Sequence, residues 1–125
     1  SNTNKMIKKY NNITSLELYW TDFTKSSMIT LLSCLPSLTS IHLNANHNRY
    51  VSANNQILQI LPAHCPLIKD LEIGLQEVDE QTLTDCVAFY GHQLERLSIR
   101  SHGPLVLFAI AKHATQVKDL TIRFS

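Results

Sequence analysis

The chain has 125 residues, 44% hydrophobic and 17% charged, which suits one globular unit with a modest core. Eleven basic side chains stand against ten acidic ones, a net charge of +1, so neither nucleic acid nor an anionic membrane surface is an expected partner. No apolar run approaches the roughly 20 residues of a membrane helix, and the polar start SNTNKMIKKYNN has no signal core.

Read in chain order, one pattern returns five times: apolar-x-x-apolar-x-apolar. Met6 to Tyr10 reads as the tail of a helix, and ITSLEL from Ile13 follows with a strand at 15–19. Met28, Leu31 and Leu35 mark a helix face before LTSIHL, with a strand at 40–44. The polar stretch NANHNRYVSANNQ, residues 44–56, makes this unit the longest and reads as an inserted loop. Insertions in repeats gather on one face, so His47, Arg49 and Tyr50 are secondary contact candidates. Ile57, Leu58, Leu61 and Cys65 form the next helix face, before IKDLEI and a strand at 70–74. Leu83, Val87 and Gly91 precede LERLSI and a strand at 96–100. Val106, Leu107, Ile110 and Ala114 precede VKDLTI and a strand at 119–123. Steps of three or four residues put each apolar set on one helix face.

Strands separated by helices pair in parallel, and their crossovers are right-handed. The expected fold is therefore an α/β right-handed solenoid, a horseshoe arc with a parallel five-stranded concave sheet and outer helices, forming one domain over 1–125. Side chains alternate along a strand. Leu16, Leu18, Ile41, Leu43, Leu71, Ile73, Leu97, Ile99, Leu120 and Ile122 point inward, and Trp20 shares that parity with Ala45, Leu75, Ser101 and Phe124. The chain lacks an initiator Met and reads as a cut through a longer array, so its last strand is expected to be an edge prone to self-association.

The five segments resemble leucine-rich repeats, from about Met6 to Phe124. CPLIKDLEI and LTDCVAFYGHQLERLSI look like the cysteine-containing subclass, and CLPSLTSIHL is a looser match. That subclass is typical of F-box proteins, the substrate receptors of cullin-type ubiquitin ligases. The resemblance implies a protein-interaction module, the substrate-recognition repeats of such a receptor. The alternative is a leucine-rich-repeat scaffold or adaptor with no link to ubiquitin. The subclass usually carries Cys or Asn just after the strand; here stand Thr21, Asn46, Gln76, His102 and Ser125, of which Asn46 alone fits. No F-box lies within these residues.

Cys34, Cys65 and Cys86 are odd in number and share no C-x-x-C spacing, which argues for a reducing compartment, cytoplasm or nucleus, and against a zinc site. The sequon Asn12-Ile13-Thr14 is read as chance. Cys65 fills a slot held by Leu35 and Ala114 in other units, so it reads as a packing residue. His64, His92 and His113 fall at helix ends, where imidazoles complement free carbonyls. Nucleophile elbows, phosphate loops and His-x-x-x-His pairs are missing, so no enzyme, cofactor or metal is expected. Glu17 and Glu72 share a row two strands apart with His42 between them, which reads as a polar row rather than an acid–base pair.

The outward residues form three rows. Ser15, Ser40, Asp70, Arg96 and Asp119 make the first; Glu17, His42, Glu72, Ser98 and Thr121 the second; Tyr19, Asn44, Gly74, Arg100 and Arg123 the third. The face grades from acidic on the first three strands to basic on the last two. A protein partner is expected on this concave face, with contacts from Tyr19, His42, Asn44, Asp70, Glu72, Arg96, Arg100 and Arg123.

Overall fold

The computed structural model describes residues 8–20, 24–45, 51–101 and 103–124, without the side chains of Trp20, Ala45, Val51 and Ser52. Strands and helices alternate along it: β1 (Ser15–Trp20), α1 (Lys25–Ser33), β2 (Ser40–Ala45), α2 (Val51–His64), β3 (Asp70–Gly74), α3 (Glu80–Tyr90), β4 (Arg96–Ser101), α4 (Pro104–His113) and β5 (Asp119–Phe124). A 3₁₀ turn, Gly91–Gln93, follows α3. The strands form one parallel sheet in the order β1-β2-β3-β4-β5. Ser15 pairs with Ser40, Ser40 with Asp70, Asp70 with Arg96, and Arg96 with Asp119, so the outward rows run straight across the sheet.

The alternate residues build the core. Ile41, Leu43, Leu71 and Leu97 are wholly buried, against Leu58, Leu61, Val87 and Val106 from the helices. Helices therefore cover one face of the sheet and leave the other open. Burial fades at both edges. Leu16 and Leu18 are half-buried, while Leu120 and Phe124 are 46% and 71% exposed, because no described element covers them. No helix among the described residues is long and apolar enough to cross a membrane.

Three expectations need correction. Residues 8–10 are irregular rather than the end of a helix; Tyr10 donates its amide to the Cys34 carbonyl at 2.8 Å and its side chain is exposed. Met6 lies outside the described residues. In α1 the buried residues are Met28 and Leu32, while Leu31 is exposed. The cause is the end of α1. Cys34 and Leu35 donate to the carbonyls three residues back, at 3.0 Å each, whereas Cys65 and Ala114 bond four residues back. A 3₁₀ ending has 3.0 residues per turn instead of 3.6, and this rotates the stripe by one position.

The third correction concerns 44–56. Residues 51–56 are helical, forming the front of α2 rather than a loop. Buried Asn54 donates its amide to the Glu77 carbonyl at 2.8 Å. Asn55 donates to the Asp79 carboxylate and accepts from the Asp79 amide, both at 2.8 Å. The β3–α3 loop thus supplies partners for two buried asparagine side chains that burial would otherwise leave unsatisfied. His47, Arg49 and Tyr50 lie outside the described residues.

Helix starts are locally specified. Thr24 caps α1, its hydroxyl accepting from the Ser27 amide at 3.1 Å. Pro104 opens α4, where a missing N–H costs nothing. The Glu80 carboxylate, at the start of α3, accepts from the Leu105 amide at 2.5 Å. A β-carbon at Gly103 would displace that carboxylate.

Candidate functional site

The cysteine question is answered at the corners between helix and strand. Cys65 is wholly buried, and its thiol lies 3.6 Å from the Leu35 carbonyl of the preceding unit. The Tyr90 hydroxyl, from the following unit, donates to the Cys65 carbonyl at 2.7 Å. Gln93 donates its amide to the carbonyls of Pro66 and Ile68 at 2.8 and 2.7 Å. Three units are thus bonded corner to corner. Burial pushes the Cys65 thiol up to about 11 and, with some help from Asp85, the Cys86 thiol up to about 12. Burial also raises the Tyr90 hydroxyl, with smaller contributions from Cys86 and Cys65. None of these groups is an anion near neutral pH, so none is poised as a nucleophile or metal ligand. His64 and His113 stand in the last turns of α2 and α4, and His92 in the 3₁₀ turn. His64 Nδ1 is 3.3 Å from the Ser33 hydroxyl.

On the open face the strands bring opposite charges together, both straight across the register and along diagonals. Arg96 Nη1 donates to Asp70 Oδ1 at 2.9 Å and Nη2 to Glu72 Oε1 at 3.2 Å, while Nε is 3.8 Å from Asp119 Oδ2. His42 Nε2 is 3.0 Å from Asp70 Oδ2, and Nδ1 is 3.7 Å from Glu17 and 4.0 Å from Glu72. Ser40 donates to Asp70 Oδ2 at 2.9 Å, and Asn44 Nδ2 to Glu72 Oε2 at 3.4 Å. Burial alone would raise the Asp70 carboxyl; hydrogen bonds from Arg96, His42 and Ser40 outweigh it and hold it below the usual range. Glu72 behaves likewise, with bonds from Arg96 and Asn44. The hydrogen bond to Asp70, with a smaller one to Glu72, raises Arg96 further.

Of the eight residues expected to contact a partner, five (His42, Asn44, Asp70, Glu72 and Arg96) form this single network. Tyr19 stands apart on β1, 66% exposed, with its hydroxyl 3.5 Å from Glu17 Oε2. Arg100 and Arg123 also stand apart. They are register partners on β4 and β5, and among the described residues neither makes an ion pair. Both line a depression of about 180 Å³ with Asn44, Glu72, Gly74 and Ser98. A β-carbon at Gly74 would meet the end of the Asn44 side chain, which would have to move aside. The simple acidic-to-basic gradient is therefore revised: Arg96 is neutralised internally, and the uncommitted positive charge is at Arg100 and Arg123.

Glu17, Ser40, Asp119 and Ser98 belong to this surface although sequence reasoning put none of them forward as contacts. Their signal is the register itself: Glu17 pairs with His42, Ser40 with Asp70, Ser98 with Glu72 and Asp119 with Arg96, directly across neighbouring strands. Among the described residues, no three His, Cys, Asp or Glu side chains are placed to share a metal ion. Comparison with protein-family models, curated proteins and solved structures finds no match for this chain.

Proposed function

We propose that the chain is a leucine-rich-repeat solenoid of the cysteine-containing kind, a right-handed arc that binds a protein partner on its open, concave face. On this reading it supplies the substrate-recognition repeats of an F-box-type ubiquitin ligase receptor in the cytoplasm or nucleus. The observation that carries the binding reading is the in-register polar face across all five strands, pre-ordered by the Arg96–Asp70–His42 network. Groups already locked in place lose little side-chain entropy on binding. The corner bonds from Tyr90 and Cys65 support the repeat assignment, because both end on the carbonyl at the same position of the preceding unit, Cys65 and Leu35.

A plain scaffold or adaptor role is the second reading. It is favoured by the positions after the strands, where four of the five residues depart from the Cys or Asn of the subclass. Self-association is proposed through β5, whose outer backbone edge and exposed Leu120 and Phe124 could pair with another strand.

The test uses photo-crosslinking in cells. A photoreactive residue at Ser98 or Thr121 on the open face is expected to trap protein partners, and one at Gln81 on α3 is not. Equal trapping from both sides overturns the open-face reading. Loss of a trapped partner's ubiquitination when this chain's gene is removed supports the ligase reading; unchanged ubiquitination leaves the scaffold reading in its place.

A further inference from the structure

We infer that Arg100 and Arg123 form a phosphate-recognition point on this face, taking one phosphorylated side chain from the protein partner. The inference rests on the reading of the open face as the protein-binding surface and names what that surface selects.

Two observations carry it. The first is charge. Arg96 spends its guanidinium on Asp70 and Glu72, with Asp119 further off, but Arg100 and Arg123 have no ionic partner among the described residues. They stand opposite each other on neighbouring strands, roughly 4.8 Å apart at the backbone. Like charges in that position destabilise a sheet. A bound dianion reverses the sign of that term. The second is space. The depression beside them is about 180 Å³, has Gly74 in its lining, and offers Ser98 as a further hydroxyl. Glu72 lines the same depression, but Arg96 and Asn44 already hold its carboxylate.

The chemistry favours a phosphomonoester over a carboxylate. A carboxylate has two oxygens and is satisfied by one guanidinium fork. A phosphate carries close to two charges and three acceptor oxygens, which matches two forks. The rest of the face disfavours a polyanion such as nucleic acid. Glu17 and Asp119 are exposed carboxylates on β1 and β5, flanking the site, and the net charge is only +1. A single phosphate on a segment that crosses the strands meets no such repulsion. Three strand spacings separate Glu17 from Arg100, roughly 14 Å. An extended peptide covers that in about four residues, so a basic residue at that distance from the phosphorylated one would reach Glu17.

The experiment follows the ¹H–¹⁵N spectrum of the 125-residue chain, including the arginine Nε–Hε signals. Four probes are titrated: a degenerate peptide library with one fixed phosphothreonine, the same library with threonine, the same with glutamate, and an oligothymidine strand. The phosphothreonine library is expected to shift Gly74, Ser98, Arg100 and Arg123 and to bind at least roughly tenfold more tightly than the other three. Arg100→Gln with Arg123→Gln should remove that preference, while Lys25→Gln with Lys112→Gln, the same charge change elsewhere, should keep it. Equal binding of the glutamate or threonine library at these residues overturns the phosphate inference and leaves the protein-binding face standing. Tighter binding of oligothymidine on this face overturns both. Shifts confined to other parts of the chain, or none with any probe, also overturn the inference.

Discussion

Replacing Arg96 by Met keeps the aliphatic stem and deletes the guanidinium. The bonds to Asp70 at 2.9 Å and Glu72 at 3.2 Å disappear, and so does the weaker contact to Asp119 at 3.8 Å. A charge-assisted hydrogen bond contributes about 1.5–3 kcal/mol when buried, and an exposed ion pair about 0.2–1 kcal/mol. Here the Arg96, Asp70 and Glu72 side chains are 34%, 30% and 26% exposed, so solvent screens each bond part-way. The expected loss is about 1–2 kcal/mol. Unfolding entropy near 2.1 cal/mol/K per residue makes that a fall in Tm of roughly 4–8 °C for a chain this size. Arg100→Met, two periods of the alternation further along the same strand, deletes a guanidinium without an ionic partner among the described residues and should change stability by less than about 0.5 kcal/mol. The effect also has a sign in pH. Asp70 and Glu72 titrate below their ordinary values of 3.8 and 4.5 when folded. Stabilisation from a lowered carboxyl is complete above its unfolded pKa and is lost as pH falls through the folded one. The gap between the native chain and Arg96→Met should therefore be full above pH 4.5 and close at lower pH. Calorimetric melts from pH 7 downward measure it. Equal losses for Arg96→Met and Arg100→Met, or a gap that does not respond to acid, would refute the network as a stabilising unit.

The remaining predictions concern the corners and the core. Tyr90→Phe leaves the buried Cys65 carbonyl without its donor and should cost about 1–3 kcal/mol in urea unfolding; a neutral result would remove the corner bond as a stabilising contact. Cys65→Ala should cost about 1–2 kcal/mol from lost packing, and in the native chain Cys65 and Cys86 should resist iodoacetamide at pH 8 until urea exposes them. Rapid labelling of the folded chain would contradict their burial. Gly91→Ala places a β-carbon 2.6 Å from His113 Cβ and within 2.9 Å of its backbone, so α4 must shift; a loss of about 1–3 kcal/mol by thermal melt is expected, and an unchanged Tm would show that the two turns do not approach so closely.

Two local rules made most of the fold legible from the residues alone. Alternation in IKDLEI and its four counterparts assigned each strand residue to a face, because side chains on a strand have a period of 2 that no distant contact can change. The constant template then aligned the strands, and Ser40 does pair with Asp70 and Arg96 with Asp119. Cys65 could be read as packing for the same reason, since its slot is apolar in other units. What the residues did not reveal depends on how one unit meets the next. Leu32 replaces Leu31 in the core because the last turn of α1 tightens, and the difference between three- and four-residue bonding leaves no mark in an apolar periodicity. Asn54 and Asn55 looked like loop residues because their partners, Glu77 and Asp79, lie more than twenty positions away. Arg96 looked free because the rows were read as outward residues and not as pairs. Asp70 and Asp119 flank it in its own row, and Glu72, two residues along the neighbouring strand, is within reach of so long a side chain. The tertiary structure therefore decided which arginine is paired across the strands, Arg96, and which have no ionic partner among the described residues, Arg100 and Arg123.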